Sequence, residues 1–291
     1  MKNPKPNNTN HSILKLRDFS VSGEEFELRT HDQYDMLVTF PQPEMNRISG
    51  YYKSENYISH TDSKKTWFEK SYQWVKSLML KKKLGWIESE KPDKGHLLDI
   101  GAGTGDFLLA AKKRGWKVKG VEPNNEAKLL AKKKGIEFFP DSKCFPDHSF
   151  DVITLWHVLE HVPNLEDQII ELKRLLKSNG LLIIAVPNFK SYDAEHYKQF
   201  WAAYDVPRHF WHFSETSIRR IFSEYDLIVR KTLPLVFDAY YVSLLSEKYK
   251  TGRKNIFSAL KIAFVSNFKA KRNNEYSSKV YFLSASSKTS F

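Results

Sequence analysis

The chain has 291 residues, 41% of them hydrophobic and 14% aromatic, which is enough for one domain of ordinary size with a smaller annex. Its single cysteine, Cys144, excludes an internal disulfide and a thiolate metal cluster and is typical of a reducing compartment. The polar start contains no signal-peptide core, and no window is long enough to span a membrane, so we expect a cytoplasmic protein.

The formal net charge is +12, from 46 basic and 34 acidic residues. Much of it lies in clusters, three of which end predicted helices, where cations stabilise the negative end of the helix dipole. The charge also permits an anionic partner, which could be an acidic lipid surface, a phosphate-bearing substrate or RNA. The clusters are 81–83, 112–114, 132–134 and 269–272.

Residues 1–50 predict a small annex, because they are polar and contain strand-like pieces at 26–28 and 36–40 before a PQP turn. Apolar residues then recur at helical spacing from 67 to 87, which predicts a helical connection over 51–91.

The stretch 97–107 reads LLDIGAGTGDF, a buried strand, a tight turn and the start of a helix. Gly101, Gly103 and Gly105 suit positive φ or close contact between backbone and ligand. A dinucleotide fingerprint separates its last two glycines by two residues, whereas here only Thr104 intervenes. The loop therefore predicts a bound ligand of another kind.

Strands and helices alternate after this loop. We predict strands at 118–121, 136–139, 150–155 and 181–186, a helix at 126–134, and a helix opened by Asn164 and stopped by Gly180. Such alternation predicts an α/β fold with a doubly wound, mostly parallel sheet, whose ligands bind at the carboxyl ends of the strands. We place this domain at 92–291, with a lid at 188–213, a helix at 213–225 capped by Ser214, and an insertion at 236–272.

Glu122 ends the second predicted strand, about twenty residues beyond the loop. A carboxylate at that place can accept hydrogen bonds from both hydroxyls of a ribose. The alternative is a solvent-exposed acid before Pro123.

Four stretches, LLDIGAGTGDF, VKGVEPN, FPDHSFDVITLWHVLEHVPN and GLLIIAVPN, resemble the successive strand ends of class I S-adenosylmethionine-dependent methyltransferases. The resemblance covers 92–235 and is closest to the branch with the ubiquinone-biosynthesis O-methyltransferases and many bacterial enzymes of unknown substrate. It implies a Rossmann-like seven-stranded sheet with helices on both faces, S-adenosyl-L-methionine as cofactor, and a small-molecule or lipid-like acceptor methylated at oxygen.

The same resemblance implies the cofactor contacts. Asp99, Gly101, Ala102 and Gly103 would line the methionine end, Glu122 would hold the ribose, and Asp141 or Ser142 would lie near the adenine. Trp156 and His157 would close over the sulfonium. A neutral His157 imidazole could also take a proton from an acceptor hydroxyl.

His157, Glu160 and His161 form H-x-x-E-H, which on a long helix is a zinc-peptidase signature. Pro163 leaves no continued helix to present both imidazoles. In ubiquinone-type enzymes this stretch resembles one whose acids and histidine have been assigned to a divalent cation, but His157 stands at the position of an acid. We therefore expect no metal; a polar role for Glu160 and His161 in tying the turn to the sheet stays open.

The segment 201–213, WAAYDVPRHFWHF, follows the fifth strand of the domain. Arg208 could bind an anionic substrate group, His209 or His212 could act as a base, and Trp211 could form a wall. Alternatively, the aromatic residues pack this connection into the core.

The segment FSVSGEEFELRTHDQYDMLVTFPQP resembles an N-terminal zinc ribbon of related methyltransferases. Phe19, Ser22, His31 and Tyr34 occupy the positions of the cysteines. These four side chains cannot bind zinc tetrahedrally, so the annex must be stabilised by packing.

The insertion combines an apolar stripe with positive charge, which could lie on an anionic membrane surface. Alternatively, the stripe covers the sheet edge or forms a dimer contact. The apolar residues are Ile256, Phe257, Leu260, Phe264 and Phe268, and the cations are Lys254, Lys261, Lys269, Lys271 and Arg272.

Two other functions stay open. One is an RNA methyltransferase, although no RNA-binding module and no Asn/Asp-Pro-Pro-Tyr motif is recognisable. The other is a non-catalytic protein that binds the cofactor or a nucleotide.

Overall fold

The computed structural model describes residues 11–52, 67–253 and 255–286, and the side chains of 67–73 are outside the description. By contacts the chain divides into two compact units. One comprises Met1–Ser54, His157–Gln168 and Ile184–Phe282, and the other comprises Glu55–Trp156, Ile169–Ile183 and Leu283–Phe291.

Eleven strands form two sheets within the described residues. The strands are β1 (Ser12–Arg17), β2 (Glu25–Thr30), β3 (Met36–Phe40), β4 (His96–Ile100), β5 (Lys117–Val121), β6 (Phe138–Phe139), β7 (Phe150–Trp156), β8 (Leu176–Pro187), β9 (Trp211–Phe213), β10 (Leu227–Pro234) and β11 (Ser278–Ala285). The seven-stranded sheet has the order β10-β11-β8-β7-β4-β5-β6, and the four-stranded sheet has the order β1-β2-β3-β9. The large sheet confirms the predicted Rossmann-like fold class.

Nine α-helices are described. They are α1 (Met45–Ile48), α2 (Trp67–Glu90), α3 (Asp106–Lys113), α4 (Asn125–Lys133), α5 (Leu165–Leu175), α6 (Tyr192–Tyr197), α7 (Glu215–Ser223), α8 (Asp238–Thr251) and α9 (Ile256–Asn273). None of them is long and apolar enough to cross a membrane.

The centre of the large sheet carries the glycine loop. Strand β4 pairs in parallel with β5 on one side and with β7 on the other. Its Leu97 and Leu98 are fully buried, as are Val152 and Ile153 of β7, because a strand covered on both faces is apolar throughout. The loop that follows β4 is therefore fixed at the carboxyl end of a buried strand.

Local signals explain several helix boundaries. The Asn124 side chain accepts hydrogen bonds from the N–H groups of Glu126 and Ala127 at the start of α4. Ser214 and Ser217 form a reciprocal capping box at the start of α7. The helix predicted at 213–225 was wrong at its first residue, since Phe213 belongs to β9, which pairs with β3.

Gly180 was predicted to stop a helix, and this was wrong. Helix α5 ends at Leu175, and Gly180 lies within β8. A Cβ at Gly180 would come within 2.7 Å of the Leu176 side chain. The glycine is therefore required by close packing in a strand rather than by a helix end.

The N-terminal strands form an antiparallel sheet in which β2 pairs with β1 and β3. The residues at the cysteine positions of the expected ribbon make packing contacts instead. The Phe19 ring stacks on Tyr249 at 4.9 Å, and the His31 and Tyr34 rings lie 5.0 Å apart. Ser22 donates a hydrogen bond to Asp18.

Candidate active site

The glycine loop wraps around the end of β5. The N–H groups of Gly101 and Ala102 donate to the Val121 carbonyl at 2.8 and 3.1 Å. Gly103 has φ of +53°, and no atom lies within 4 Å of the place where its Cβ would be. A ligand can therefore approach the backbone at this position.

Glu122 is buried beside this loop and is fixed at both carboxylate oxygens. The Gly103 N–H donates to Oε2 at 2.8 Å, and the Asn124 N–H donates to Oε1 at 2.8 Å. Each carboxylate oxygen has a second lone pair. The carboxylate is thus oriented by the backbone and retains capacity to accept from a diol.

An open cleft of about 250 Å³ lies along the loop. Asp99, Gly101, Ala102, Gly103 and Trp156 line it, so five of the predicted cofactor residues share one cavity. Among the described residues, the buried indole Nε1 of Trp156 has no hydrogen-bond partner, and the ring is wedged between Phe107 and the Lys83 ammonium. An unsatisfied donor and an open backbone fit a polar ligand such as the cofactor.

The Asp99 carboxyl is buried at the end of β4, and burial raises its pKa to about 7. The Thr154 hydroxyl donates to Oδ1 at 2.6 Å and opposes the shift, as does the positive charge of Lys83. The Glu122 charge adds to the shift. This carboxylate therefore favours a cationic ligand group, such as an amino group, in its vicinity.

Asp106 links the loop to two neighbouring segments. Lys76 and Lys134 donate to its two oxygens at 2.6 and 2.5 Å. Burial favours the neutral acid, but the two ammonium groups lower the pKa of Asp106. No motif in the sequence had singled out this ion-pair network, because its members are 30 and 28 residues from Asp106.

The side chains of Asp141 and Ser142 form hydrogen bonds with other residues of the protein. Asp141 accepts from the Lys143 N–H at 3.0 Å, and Ser142 donates to Glu171 at 2.8 Å. Their proposed contact with the adenine stays a prediction.

His157 follows β7 with φ of +57° and is held between two carboxylates. Its Nδ1 lies 3.2 Å from Glu160 Oε1, and its Nε2 lies 2.9 Å from Asp238 Oδ2. Burial alone would lower the pKa of the imidazole, but hydrogen bonds to Asp238 and Glu160 raise it to about 10. The ring is therefore an imidazolium at neutral pH, which differs from the neutral base expected from the sequence. Asp238, at the start of α8, was not predicted.

Arg208 is buried in a network supplied by the protein itself. Its guanidinium donates to Asp18, to Asp205 and to the Tyr51 carbonyl. Burial disfavours the charge, but the two carboxylates raise the pKa of Arg208. All three guanidinium nitrogens are engaged, so the structure shows a clamp between segments where the sequence suggested a substrate-binding cation.

The two histidines that follow are also buried. The His209 Nδ1 lies 2.9 Å from the Ala203 carbonyl, and burial together with the nearby His161 lowers the pKa of His209 well below its usual value. The His212 Nε2 lies 2.9 Å from the Thr39 hydroxyl, and burial lowers the pKa of His212 to about 3. Both rings are neutral at physiological pH, and Trp211 donates to the Val162 carbonyl.

The side chains of the H-x-x-E-H motif have different partners. His157 contacts both Asp238 and Glu160, whereas Glu160 also lies beside His161 and His209. The motif does not form the two-histidine face of a zinc-peptidase helix, because 159–161 is a single 3₁₀ turn. His209 joins the group only through the fold.

Comparison with known proteins shows the family to which the chain is similar. Residues 75–232, more than half of the chain, match the methyltransferase domain family. A ubiquinone biosynthesis O-methyltransferase from Glaesserella parasuis is 35% identical over 106 residues, which are 32% of this chain and 45% of that protein. One from Burkholderia vietnamiensis is 31% identical over 123 residues, 38% of this chain and 53% of that protein. The chain thus spans about half the length of these curated relatives.

Two solved structures share the fold. A protein from Pyrococcus horikoshii superposes with a TM-score of 0.51 at 13% identity, over 81% of this chain and 97% of that one. Geranyl diphosphate C-methyltransferase from Streptomyces coelicolor, solved with S-adenosyl-L-homocysteine, gives a TM-score of 0.51 at 13% identity, over 78% and 89%. Because the family match covers more than half of its length, the chain belongs to the methyltransferase domain family.

Proposed function

We propose that this protein is a cytoplasmic enzyme that methylates an oxygen of a lipid-like small molecule taken from an anionic membrane surface. The observation that carries the proposal is the outer face of α9. The similarity to ubiquinone biosynthesis O-methyltransferases supports oxygen as the target.

Helix α9 presents large apolar side chains to solvent. Phe257, Phe264 and Phe268 are 88%, 63% and 53% exposed. The opposite face is built from small residues such as Ala259 and Ala263, which are fully buried where α9 packs against α8. A helix in a soluble protein normally buries its larger apolar face. This reversal supports an external apolar partner over a stripe that covers the sheet edge.

The segment that carries the stripe is basic. Residues 248–274 contain eight basic residues and no acidic residue. Lys261, Lys271 and Arg272 are exposed on α9. Each cation close to an anionic membrane contributes about 1 kcal/mol to binding, and apolar side chains inserted between the headgroups add to it. An anionic lipid surface fits both properties.

The cofactor supplies an activated methyl group, so the protein gains most by aligning the acceptor and excluding water. We propose that Glu122 holds the ribose, and that Asp99 with the backbone of Gly101, Ala102 and Gly103 holds the methionine end. His157 is assigned a positioning role through Asp238 and Glu160, because a protonated imidazole cannot accept the proton of a hydroxyl.

The N-terminal strands are proposed to be a ribbon that has lost its zinc ligands and is held by packing. The contacts of Phe19 with Tyr249 and of His31 with Tyr34 support this view.

Membrane binding is tested by flotation with neutral liposomes and with liposomes of graded phosphatidylglycerol content. We expect flotation to rise with anionic lipid and to fall with salt. The double variant Phe257→Ser/Phe264→Ser should stay at the bottom, whereas Ile170→Ser, an exposed apolar change on α5, should float like the wild type. No flotation at any lipid composition would overturn the proposed membrane binding. A wild-type dimer that the double variant dissociates would show that this face of α9 is a self-association surface instead.

Methyl transfer is tested with methyl-labelled S-adenosylmethionine and, as acceptors in separate reactions, a lipid extract and total RNA. We expect label in the organic phase and an O-methyl product by mass spectrometry. Label in RNA instead would favour the RNA methyltransferase alternative. No transfer to any fraction by protein that binds the cofactor would favour a non-catalytic role.

A further inference from the structure

Helix α2 forms one wall of the cleft that lies along the glycine loop. Four of its side chains line the cleft, and they share one helix face because residues three and four apart lie one above the other. They are Lys76, Met79, Leu80 and Lys83. The glycine loop and the start of α3 form the opposite wall. The cleft therefore lies between two segments that are separate in sequence.

An ion pair joins these two walls. The Lys76 ammonium lies 2.6 Å from the Asp106 carboxylate, and the two side chains are 26% and 24% exposed. We propose, resting on the function assigned above to this cleft, that Lys76 and Asp106 are positioning residues that hold its two walls together around the cofactor. The cleft-facing half of α2 (residues 74–83) then moves about Gly85 when the cofactor enters or leaves.

Asp106 is fixed on the side of the loop. Its Oδ1 accepts from the Lys134 ammonium at 2.5 Å, and its Oδ2 accepts from the Thr104 hydroxyl at 3.1 Å. Lys134 also donates to the Thr104 carbonyl at 3.1 Å. The carboxylate thus belongs to a network of the loop that does not depend on Lys76. Separation of Lys76 from Asp106 therefore releases α2 and leaves the loop in place.

The packing of α2 changes along its length. Leu84 and Ile87 are 1% and 0% exposed, so the C-terminal part of the helix is anchored in the core. In the cleft-facing half, Trp74 and Leu78 are 66% and 38% exposed. A segment with little buried apolar surface opens at a lower free energy than one held by the core. The ion pair is therefore placed at the part of α2 that packing holds least.

Gly85 lies where the cleft-facing half meets the anchored part. A Cβ at this position would lie more than 4 Å from every described side chain other than those of its two neighbours, so close packing does not require a glycine. Glycine inside a helix weakens it relative to alanine, because it has more conformational freedom to lose. Lys76 lies about 13 Å along the helix axis from Gly85, so a small bend there separates the ion pair.

The test measures the association and dissociation rate constants of S-adenosylhomocysteine by stopped-flow fluorescence, with the full chain. Lys76→Met should raise both rate constants by roughly two- to fivefold, the range for a partly exposed ion pair, and should change the dissociation constant little. Gly85→Ala should lower both rate constants, because alanine stiffens the helix. High salt, which screens the pair, should raise both rate constants of the wild type and not those of Lys76→Met.

Two variants are controls for these rate measurements. Lys81→Met removes an exposed cation from another face of α2 and should bind and release the ligand like the wild type. Lys76→Arg keeps the positive charge and should restore rate constants close to those of the wild type.

A merely structural ion pair predicts another pattern, in which Lys76→Met lowers the association rate constant and raises the dissociation rate constant. That pattern would overturn the proposal, as would unchanged rate constants in both Lys76→Met and Gly85→Ala. In either case binding by the wild type leaves the proposed function intact. A wild type that binds no S-adenosylhomocysteine would contradict the cofactor assignment itself. If Lys76→Met fails to fold by near-ultraviolet circular dichroism, Gly85→Ala and the salt dependence of the wild type decide the question.

Discussion

At the scale of single residues, two buried carboxyl groups with different environments lie beside the glycine loop. Glu122 accepts hydrogen bonds from two backbone N–H groups. Asp99 is desolvated and has one hydroxyl donor. The first is built to accept hydrogen bonds, and the second gains from a nearby positive charge.

Glu122→Ala should weaken binding of S-adenosylhomocysteine by about 1.5–3 kcal/mol, the range for a hydrogen bond to a charged group. Isothermal titration calorimetry measures this loss. Glu126→Ala, an exposed acid on α4, is the control and should bind normally. Equal affinity of a folded Glu122→Ala variant would remove the ribose assignment.

Asp99→Asn should stabilise the cofactor-free protein at alkaline pH. The folded pKa of about 7 lies above the unfolded value, so the wild type loses stability as pH rises from about 4 to 7. An amide has no such loss. The gain should be near zero at pH 4 and reach on the order of a few kcal/mol at pH 8, as measured by urea unfolding. If Asp99→Asn and the wild type show the same dependence of stability on pH, the raised pKa of Asp99 is contradicted. The control is Asp93→Asn, at an exposed site, which should leave this pH dependence unchanged.

At the scale of elements, buried ion pairs and capped ends join segments that are far apart in sequence. Arg208 joins the turn after β1 to the segment before β9 through Asp18 and Asp205. Strand β9 in turn completes the N-terminal sheet through its pairing with β3. The segment predicted as a lid is therefore held by charge and by a strand ladder.

Asp18→Asn should destabilise the protein by about 3–5 kcal/mol at neutral pH, because it leaves the buried guanidinium with one fewer carboxylate. Burial opposes ionisation of Asp18, but Arg208 and backbone N–H groups lower its pKa. The loss should shrink as pH falls below the unfolded value near 4. Denaturant unfolding at pH 7 and pH 3.5 measures both. Arg47→Ala, which breaks an exposed pair with Glu24, should cost less than about 1 kcal/mol. Equal losses for the two variants would argue against a buried clamp.

At the scale of the whole molecule, the seven-stranded sheet places the glycine loop at the carboxyl ends of its central strands, where such folds bind ligands. The exposed face of α9 adds a surface that the fold class does not require. Cofactor binding and membrane binding can therefore be measured separately.

Saturating S-adenosylhomocysteine should raise the melting temperature, because a ligand at 100 times its Kd adds about 2.7 kcal/mol to the free energy of unfolding. NAD at the same concentration should have no effect, since the loop lacks the dinucleotide spacing. Differential scanning fluorimetry reads both. Stabilisation by NAD alone would contradict the cofactor assignment.

The sequence by itself determined the parts that depend on local pattern. LLDIGAGTGDF predicted the strand, the turn and the start of the helix, because glycine spacing and apolar runs act over a few residues. The position of Glu122 beside this loop was predicted in the same way, since it follows from the length of one crossover, and its contact with a ribose stays a prediction. These features define the fold class and the cofactor cleft.

Only the tertiary structure decided which distant side chains meet. Asp238, 81 residues away in sequence, forms a hydrogen bond with His157 and raises its pKa. Asp18, 190 residues away, accepts a hydrogen bond from Arg208. His209 lies in a cluster with Glu160 and His161. Charge state and burial depend on these neighbours, and no periodicity in the sequence encodes them. The exposure of Phe257 on α9 was decided in the same way, because the sequence shows the apolar stripe but not which face of the helix the small alanines would bury.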